Sequence, residues 1–390
     1  MSVDRPEGVH PLARLPEEWE LVMARAGQPK YRARQVFRWL HAHGTLTPEA
    51  MSDLPRPLRA RLAEQDLALD AEVSTVRRAP DGTRKLLLRL PGDALVECVM
   101  IPMTKLPEQS DDADLAAVPE DDDDDDGPTR VTVCLSTQHG CAMGCVFCAS
   151  GRAGLLRGLS AAEIVEQVRV ARAHLEPGEQ LRNLVLMGMG EPLHHYDETA
   201  RALRVLTHPD GMDLSLRRIT VSTVGLVPGI DKLGRDFGGK VGLAVSLHAP
   251  TDELRTRIVP MNARHGLAEI MAALRRYPLP RRRRITLEYT LMQDVNDAAE
   301  HARALIDLVR GLRVKINLIP MNPVPGADFG GSSPERVLAF QAALRRAGLS
   351  CFVRVRRGDA VEGACGQLAL GAEAGTLVRS IGRKPVNSKG

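Results

Sequence analysis

No stretch of this chain is apolar for the length of a membrane-crossing helix, and its opening MSVDRPEGVH holds no apolar signal core. The first absence excludes a protein built on transmembrane helices. The second sets the expectation of a cytoplasmic protein with no membrane partner. A disulfide framework is missing too. The 7 cysteines are odd in number and unevenly placed, at Cys98, Cys134, Cys141, Cys145, Cys148, Cys351 and Cys365. In a reducing compartment such clustering points to metal binding or catalysis. Paired C-x2-C knuckles, the usual mark of a zinc ribbon, are also lacking, since only one C-x2-C occurs.

What is present is the run GCAMGCVFCASG, which spaces Cys141, Cys145 and Cys148 as C-x3-C-x2-C. Three thiolates in one tight loop under-ligate a cuboidal cluster of four irons and leave one iron open. An open iron can bind and reductively split a small molecule, whereas a structural metal site is closed by its protein ligands. The competing reading adds Cys134 as a fourth sulfur and makes a noncatalytic, zinc-containing RNA-binding protein. Against it, Cys134 falls in RVTVCLS, whose apolar alternation reads as a strand leading into the loop.

The net charge of +3 hides an asymmetry. Residues 104–128 hold eleven acids and one base, Lys105, so that segment carries −10 and the rest +13. A basic body suits a polyanionic partner such as nucleic acid. The acidic run reads as a solvated, disordered loop. A sharper alternative is that it imitates nucleic acid and screens nonspecific binding.

The length of 390 residues fits two or three domains. Residues 1–103 read as an accessory region, helical and then a β-hairpin, that binds RNA. In KYRARQVFRWLHAHG the helical period puts Val36, Trp39 and Leu40 on one face, with Arg32, Arg34 and Arg38 on others. Asp81-Gly82 and Pro91-Gly92 are turn signals between apolar runs. The acidic insertion occupies 104–128, a core 129–375 and a basic tail 376–390. From Arg130 onward strand-like and helix-like runs alternate, which implies a parallel sheet with helices outside it. The fold class is therefore α/β, a partial parallel barrel of about six βα units. In such architectures the chemistry collects at the C-terminal strand ends, and the cysteine loop follows the first strand.

Other residues acquire meaning from their surroundings. Gly188, Gly190 and Glu191 follow the strand in NLVLMGMGEPL, where a carboxylate can accept from an ammonium group. Glu97 is acidic within the apolar run ALVECVMIP. Cys365 lies between Gly363 and Gly366 in EGACGQL, which reads as a loop. Arg281–Arg284, Arg354, Arg356 and Arg357 are candidate RNA contacts, or simply a solvated face.

RQVFRWL, DGTRKLLLRLPGDALVECVMIP, VCLSTQHGCAMGCVFCASG, LVLMGMGEPL, RRITVSTVG, AVSLHAP, NLIPMNPVPG and RGDAVEGACGQL occur in that order. Together they resemble the radical S-adenosylmethionine (SAM) rRNA adenine methyltransferases, the RlmN/Cfr family, over nearly the whole chain. The resemblance implies a radical SAM barrel in which Cys141, Cys145 and Cys148 hold a 4Fe–4S cluster. It implies SAM contacts from Gly190, Glu191, Ser222, Ser246, Leu247, His248 and Asn322. It further implies that Cys365 takes a methyl group from one SAM, and that a second SAM yields a 5′-deoxyadenosyl radical that activates that methyl. Cys134 would resolve the resulting protein–RNA cross-link by a disulfide with Cys365, and Glu97 would accept a proton. The implied substrate is C2 of an adenine in 23S rRNA (adenine-2503 type), with tRNA as a second substrate and C8 as the alternative position. An electron donor such as flavodoxin and a monomeric state follow from the same resemblance. Three departures stand out: the acidic insertion, LSTQHGC where the family commonly has VSSQVGC, and Cys98 in place of a commoner threonine.

Overall fold

Alternation after Arg130 becomes one side of a ten-stranded sheet. The computed structural model describes residues 8–103, 127–322, 324, 329–354, 358, 361, 363 and 366–368. Cys365, Arg356, Arg357, the acids of 104–126 and the basic tail lie outside the described residues. The strands are β1 (Glu72–Arg78), β2 (Arg84–Leu90), β3 (Ala94–Pro102), β4 (Thr129–Cys134), β5 (Gln138–Gly140) and β6 (Leu155–Gly158). After them come β7 (Glu179–Leu186), β8 (Ile219–Thr223), β9 (Gly242–Ser246), β10 (Ile285–Leu291), β11 (Val314–Pro320) and β12 (Ser350–Val353). The large sheet runs β1-β2-β3-β4-β7-β8-β9-β10-β11-β12.

Within the large sheet every pairing from β4 onward is parallel, so six helical crossovers join seven parallel strands, while β5 and β6 form a separate antiparallel pair. This is the expected partial barrel with one strand to spare. The helices are α1 (Pro16–Arg25), α2 (Tyr31–His41), α3 (Arg56–Ala63), α4 (Ala149–Ala153), α5 (Ala161–Ala173) and α6 (Tyr196–Leu206). They continue as α7 (Val227–Phe237), α8 (Asp252–Ile258), α9 (Leu267–Arg276), α10 (Ala299–Leu308) and α11 (Pro334–Arg346). The run ITLEYTL of β10 is buried at every position, as a central strand covered on both faces must be. Helix α5 starts on a capping box: Glu163 N–H donates to Ser160 Oγ (3.3 Å), and Ser160 N–H donates to Glu163 Oε2 (2.8 Å).

The turn signals near Gly82 and Gly92 fall where expected, at φ +81° and +70°, and produce three antiparallel strands, β1 to β3. Strand β3 then pairs with β4 in the register Val99↔Cys134, so these strands extend the barrel sheet. Helix α2 forms as its spacing predicts, but its buried face is Val36, Phe37 and Leu40. Trp39 is only half-buried and donates its indole N–H to Asp53 Oδ1 (2.5 Å). Phe37 takes the inner position because its ring packs against His41 and His208, at 4.4 and 4.9 Å between centroids. Arg34 and Arg38 reach Asp210 of the barrel, at 3.6 and 3.5 Å. Arg32 donates to Gln35 Oε1 (2.6 Å) and Asp53 O (2.7 Å), so all three arginines offered to RNA by the sequence are engaged within the molecule.

His41 makes this docking sensitive to acid. Its ring is fully buried, and neither nitrogen has a hydrogen-bond partner. Burial, reinforced by His208 and Arg172, pushes its pKa down to about 3. The unfolded chain takes up a proton near the ordinary histidine value, which the folded chain refuses until far lower. The stabilising contribution is therefore complete above about pH 6.5 and declines as pH falls, by about 1.4 kcal/mol per pH unit. Denaturant unfolding at about pH 7 and about pH 5 should show a larger acid loss in the parent than in His41→Leu. Equal losses would contradict this reading.

Candidate active site

The site is assembled where the parallel strands end. A pocket takes residues from the C-terminal ends of β7 to β12, from the cysteine loop, and from Gly366 and Leu368 of the C-terminal segment. The cysteine loop is fixed on several sides. Cys141 N–H donates to Gly154 O (2.9 Å), Val146 N–H to Ile258 O (3.1 Å) and Ala149 N–H to Gly366 O (2.9 Å). Gly151 sits beneath Cys145 so closely that a Cβ there would lie 2.9 Å from its backbone nitrogen and oxygen.

Cys141, Cys145 and Cys148 line this pocket together. Burial, then Cys148 and Cys141, holds the Cys145 thiol well above its ordinary range. Burial also pushes Cys141 up to about 12. Buried thiols of this kind stay protonated on their own, and a cationic centre that binds their sulfurs would drive the protons off into solvent. Among the described residues no three His, Cys, Asp or Glu side chains converge as on a single metal ion. A four-iron cluster takes its thiolates at separate corners, so such convergence is not what it needs. The donor set, three sulfurs on one loop facing a shared cavity, fits the cluster.

Glu191 lies opposite the cysteines, 2% exposed. Its carboxylate accepts from Val224 N–H (2.8 Å) and Leu193 N–H (3.1 Å), which aims it across the strand ends. Burial pushes it up to about 7 against those hydrogen bonds. Gly190 must be glycine: at φ +101° a Cβ would meet Gln138 Cβ at 2.5 Å. Ser222, Ser246, His248 and Asn322 line the same pocket. His248 adopts φ +57°, and its Nδ1 accepts from Thr290 N–H (3.1 Å). The remaining proton therefore sits on Nε2, and burial with Arg255 nearby pushes the ring down to about 3, so it is neutral. Leu247 does not line the pocket; its side chain is wholly buried in the core.

Several residues of the site gave no sequence signal strong enough to single them out. Glu288 of β10 lines the pocket; Asn317 Nδ2 donates to its Oε1 (3.0 Å), while its Oε2 is buried with no donor. An orphaned acceptor in this wall suits a ligand rich in N–H and O–H groups, as SAM is. A lone Glu inside ITLEYTL was the available clue. Asn296, fully buried, donates to His248 O (2.8 Å) and Thr290 O (2.7 Å), tying the ends of β9 and β10 together.

Arg255 of α8 is 1% exposed and forms no ion pair among the described residues. It donates to Leu247 O (3.0 Å), Ser246 O (3.1 Å), Val224 O and Asn262 Oδ1 (2.8 Å), so it braces the ends of β8 and β9 behind Cys145. Burial lowers its pKa to about 10, still charged at neutral pH. Arg255→Met should cost about 3 kcal/mol or more of unfolding free energy, since each stranded buried acceptor costs about 1–3 kcal/mol. Chemical denaturation measures this, and an unchanged midpoint would contradict it.

Glu97 and Cys134 do not line the pocket. They lie on β3 and the end of β4. Lys85 Nζ is 2.9 Å from Glu97 Oε1, with both side chains buried. Lys85, Val99 and Cys134 form one cross-strand row over β2, β3 and β4. Arg354 reaches the pocket. Arg281–Arg284 precede β10 and so stand at the opposite rim of the barrel.

This barrel, with its three-cysteine loop at the C-terminal strand ends, defines a radical SAM enzyme. Residues 135–307 match the Radical SAM superfamily, and residues 17–67 match the ribosomal RNA large subunit methyltransferase N-terminal domain. The chain is 55% identical over 388 residues to a dual-specificity RNA methyltransferase RlmN of Sorangium cellulosum, covering 97% of this chain and 100% of that one. It is 45% identical to a probable dual-specificity RNA methyltransferase RlmN of Moorella thermoacetica, covering 91% and 95%. The crystal structure of a radical SAM methyltransferase from Sphaerobacter thermophilus superposes with a TM-score of 0.81 at 42% identity, covering 92% of this chain and 99% of that one. The chain belongs to the RlmN family of radical SAM RNA methyltransferases. That membership removes the noncatalytic zinc-protein alternative.

Proposed function

We propose that the protein methylates C2 of an adenine in 23S rRNA, of the adenine-2503 type, and also tRNA, carrying the methyl group on Cys365. The relatives' dual-specificity names support the two RNA classes. The observation that carries the two-cysteine route is the placing of the described neighbours of Cys365. A Cβ on Gly363 would meet Val99 Cγ1 at 3.6 Å, and Val99 is the cross-strand partner of Cys134. Gly366 O accepts from Ala149 N–H beside the last cluster cysteine. Gly363 thus lies against the strand paired with that of Cys134, and Gly366 against the cysteine loop.

In this reading Cys141, Cys145 and Cys148 hold the 4Fe–4S cluster, and Gly190, Glu191, Ser222, Ser246, Leu247, His248 and Asn322 hold SAM. When bound, the cluster and SAM supply one-electron reduction and hydrogen abstraction. Glu191, as carboxylate, receives the ammonium group of SAM. Neutral His248 donates from Nε2, its orientation fixed by the Thr290 hydrogen bond. Adenine C2 is not nucleophilic, so a thiolate carrier on Cys365 replaces direct polar transfer. Glu97 takes the proton that leaves C2. Lys85 occupies Oε1, which leaves Oε2, buried and without a hydrogen bond, as the accepting atom. Once the adduct has given its unpaired electron to a one-electron acceptor, the Cys134 thiolate attacks the Cys365 sulfur. The disulfide forms, the sulfur–carbon bond breaks, and the released carbon takes up a proton to become the product methyl. A thiol reductant reopens the disulfide before the next turnover. A flavodoxin-type electron donor, a monomeric state and a cytoplasmic location complete the proposal; among the described residues no helix is long and apolar enough to cross a membrane.

Nucleoside analysis tests the assignment. RNA treated with the reconstituted protein should yield 2-methyladenosine on digestion and chromatography against standards. Finding 8-methyladenosine instead would overturn the positional claim.

A further inference from the structure

We propose that the rim of the barrel opposite the candidate active site is a second RNA-binding surface, gripping phosphates remote from the base in the pocket. This deepens the reading of RNA as substrate and rests on it. The segments 277–284, 309–315 and 345–350 lead into β10, β11 and β12. Together they contain eight arginines and Lys315, and no aspartate or glutamate. Adjacent strands lie about 4.8 Å apart, so charges at their N-terminal ends form one band.

The band is built to hold its shape. Arg313 donates to Leu279 O (2.8 Å), Pro280 O (3.0 Å) and Arg281 O (2.7 Å), which pins the turn before β10. Arg283 N–H donates to Pro280 O (2.9 Å), and Arg284 Nη1 reaches Ser350 Oγ (2.7 Å) across to β12. Arg281 and Arg282 are exposed at the tip of that turn.

Some of the charge has a local explanation. Arg310 pairs with Asp307 (2.5 Å), and Arg345 donates to Cys351 O (2.9 Å) at the end of α11, where the helix dipole favours a cation. Neither reason covers Arg281 and Arg282. Helix α9 has already ended at Arg276, and among the described residues no carboxylate pairs with either side chain. Like charges side by side repel, so their presence together on a pinned turn fits a polyanion that spaces negative charge along a chain. Arginine's planar fork suits phosphate oxygens.

Strand β10 spans the seven residues Ile285–Leu291, so the two rims stand roughly 20 Å apart at about 3.3 Å per residue. A phosphate on the band and a base in the pocket therefore belong to different parts of one RNA. A short hairpin bearing the target adenine engages the pocket alone, and a large 23S rRNA fragment engages both.

Binding of both RNAs by the full-length protein decides the matter, with Arg281→Glu/Arg282→Glu and, against misfolding, Arg281→Gln/Arg282→Gln. For the large fragment, affinity should fall tenfold or more in the charge-reversed variant. In the glutamine variant the slope of log affinity against log salt should shrink by about 1.5, as for two lost phosphate contacts. Hairpin affinity and hairpin methylation should be unchanged. Equal affinity and slope for the large fragment, in variants with the parent's circular dichroism, would overturn the proposal. Should the parent fail to methylate the hairpin, the substrate reading fails, while the large-fragment comparison still decides the rim.

Discussion

The substitution Cys365→Ala should abolish RNA methylation by the anaerobically reconstituted protein, by about a thousandfold or more, as expected when a covalent carrier is deleted. The cluster should remain, since the three cysteines proposed to hold it sit on a loop anchored chiefly by Gly154, Ile258 and the strand ends, and Cys365 is not among them. The electronic absorption of the cluster and cleavage of SAM serve as controls for an intact site. Mass analysis of the parent adds a direct readout: the peptide bearing Cys365 should be found one methylene heavier than its sequence. A Cys365→Ala variant that still methylates RNA would defeat the mechanism. Activity toward a protein target in that variant would point instead to a radical SAM activase.

The second large effect belongs to Cys134. Under the proposed mechanism alanine there removes the thiol that frees the product, so protein and RNA should remain covalently joined after one turnover. A band resistant to denaturant and sensitive to nuclease would report the adduct on a gel. Cys134 is 8% exposed and ends β4, while its cross-strand partner Val99 touches Gly363. A thiolate there needs only the C-terminal segment to bring the Cys365 sulfur alongside. Free, methylated RNA released over many turnovers by Cys134→Ala would show that no such resolution occurs.

Much of the fold and of the cysteine loop is legible in the sequence, because its signals are local. Three cysteines in eight residues, a carboxylate after a strand and the alternation of strands with helices each occupy a short stretch of chain. Phe37 replacing Trp39 on the buried face of α2 could not be read that way. Both lie within the apolar arc of one helix, and His208, far along the chain, decides between them. Arg255 was illegible for a related reason. In DELRTRI it resembles any solvated helical arginine, and arginine is seldom fully buried. Only the meeting of β8, β9 and the following loops gives it four acceptors. Glu288 and Asn296 likewise draw their meaning from residues on neighbouring strands. The run Arg281–Arg284 carries its charge in the sequence but not its location, and strand direction alone sends it to the far rim.

The claim on which all else depends is that the methyl group passes through a thioether and loses a hydrogen before it reaches the base. SAM whose methyl group carries only deuterium tests this most directly, by mass spectrometry of the product nucleoside after several turnovers. The account predicts a product methyl in which one deuterium has been replaced by hydrogen. A product that keeps all of its deuterium would mean direct transfer from the sulfonium, and would contradict it.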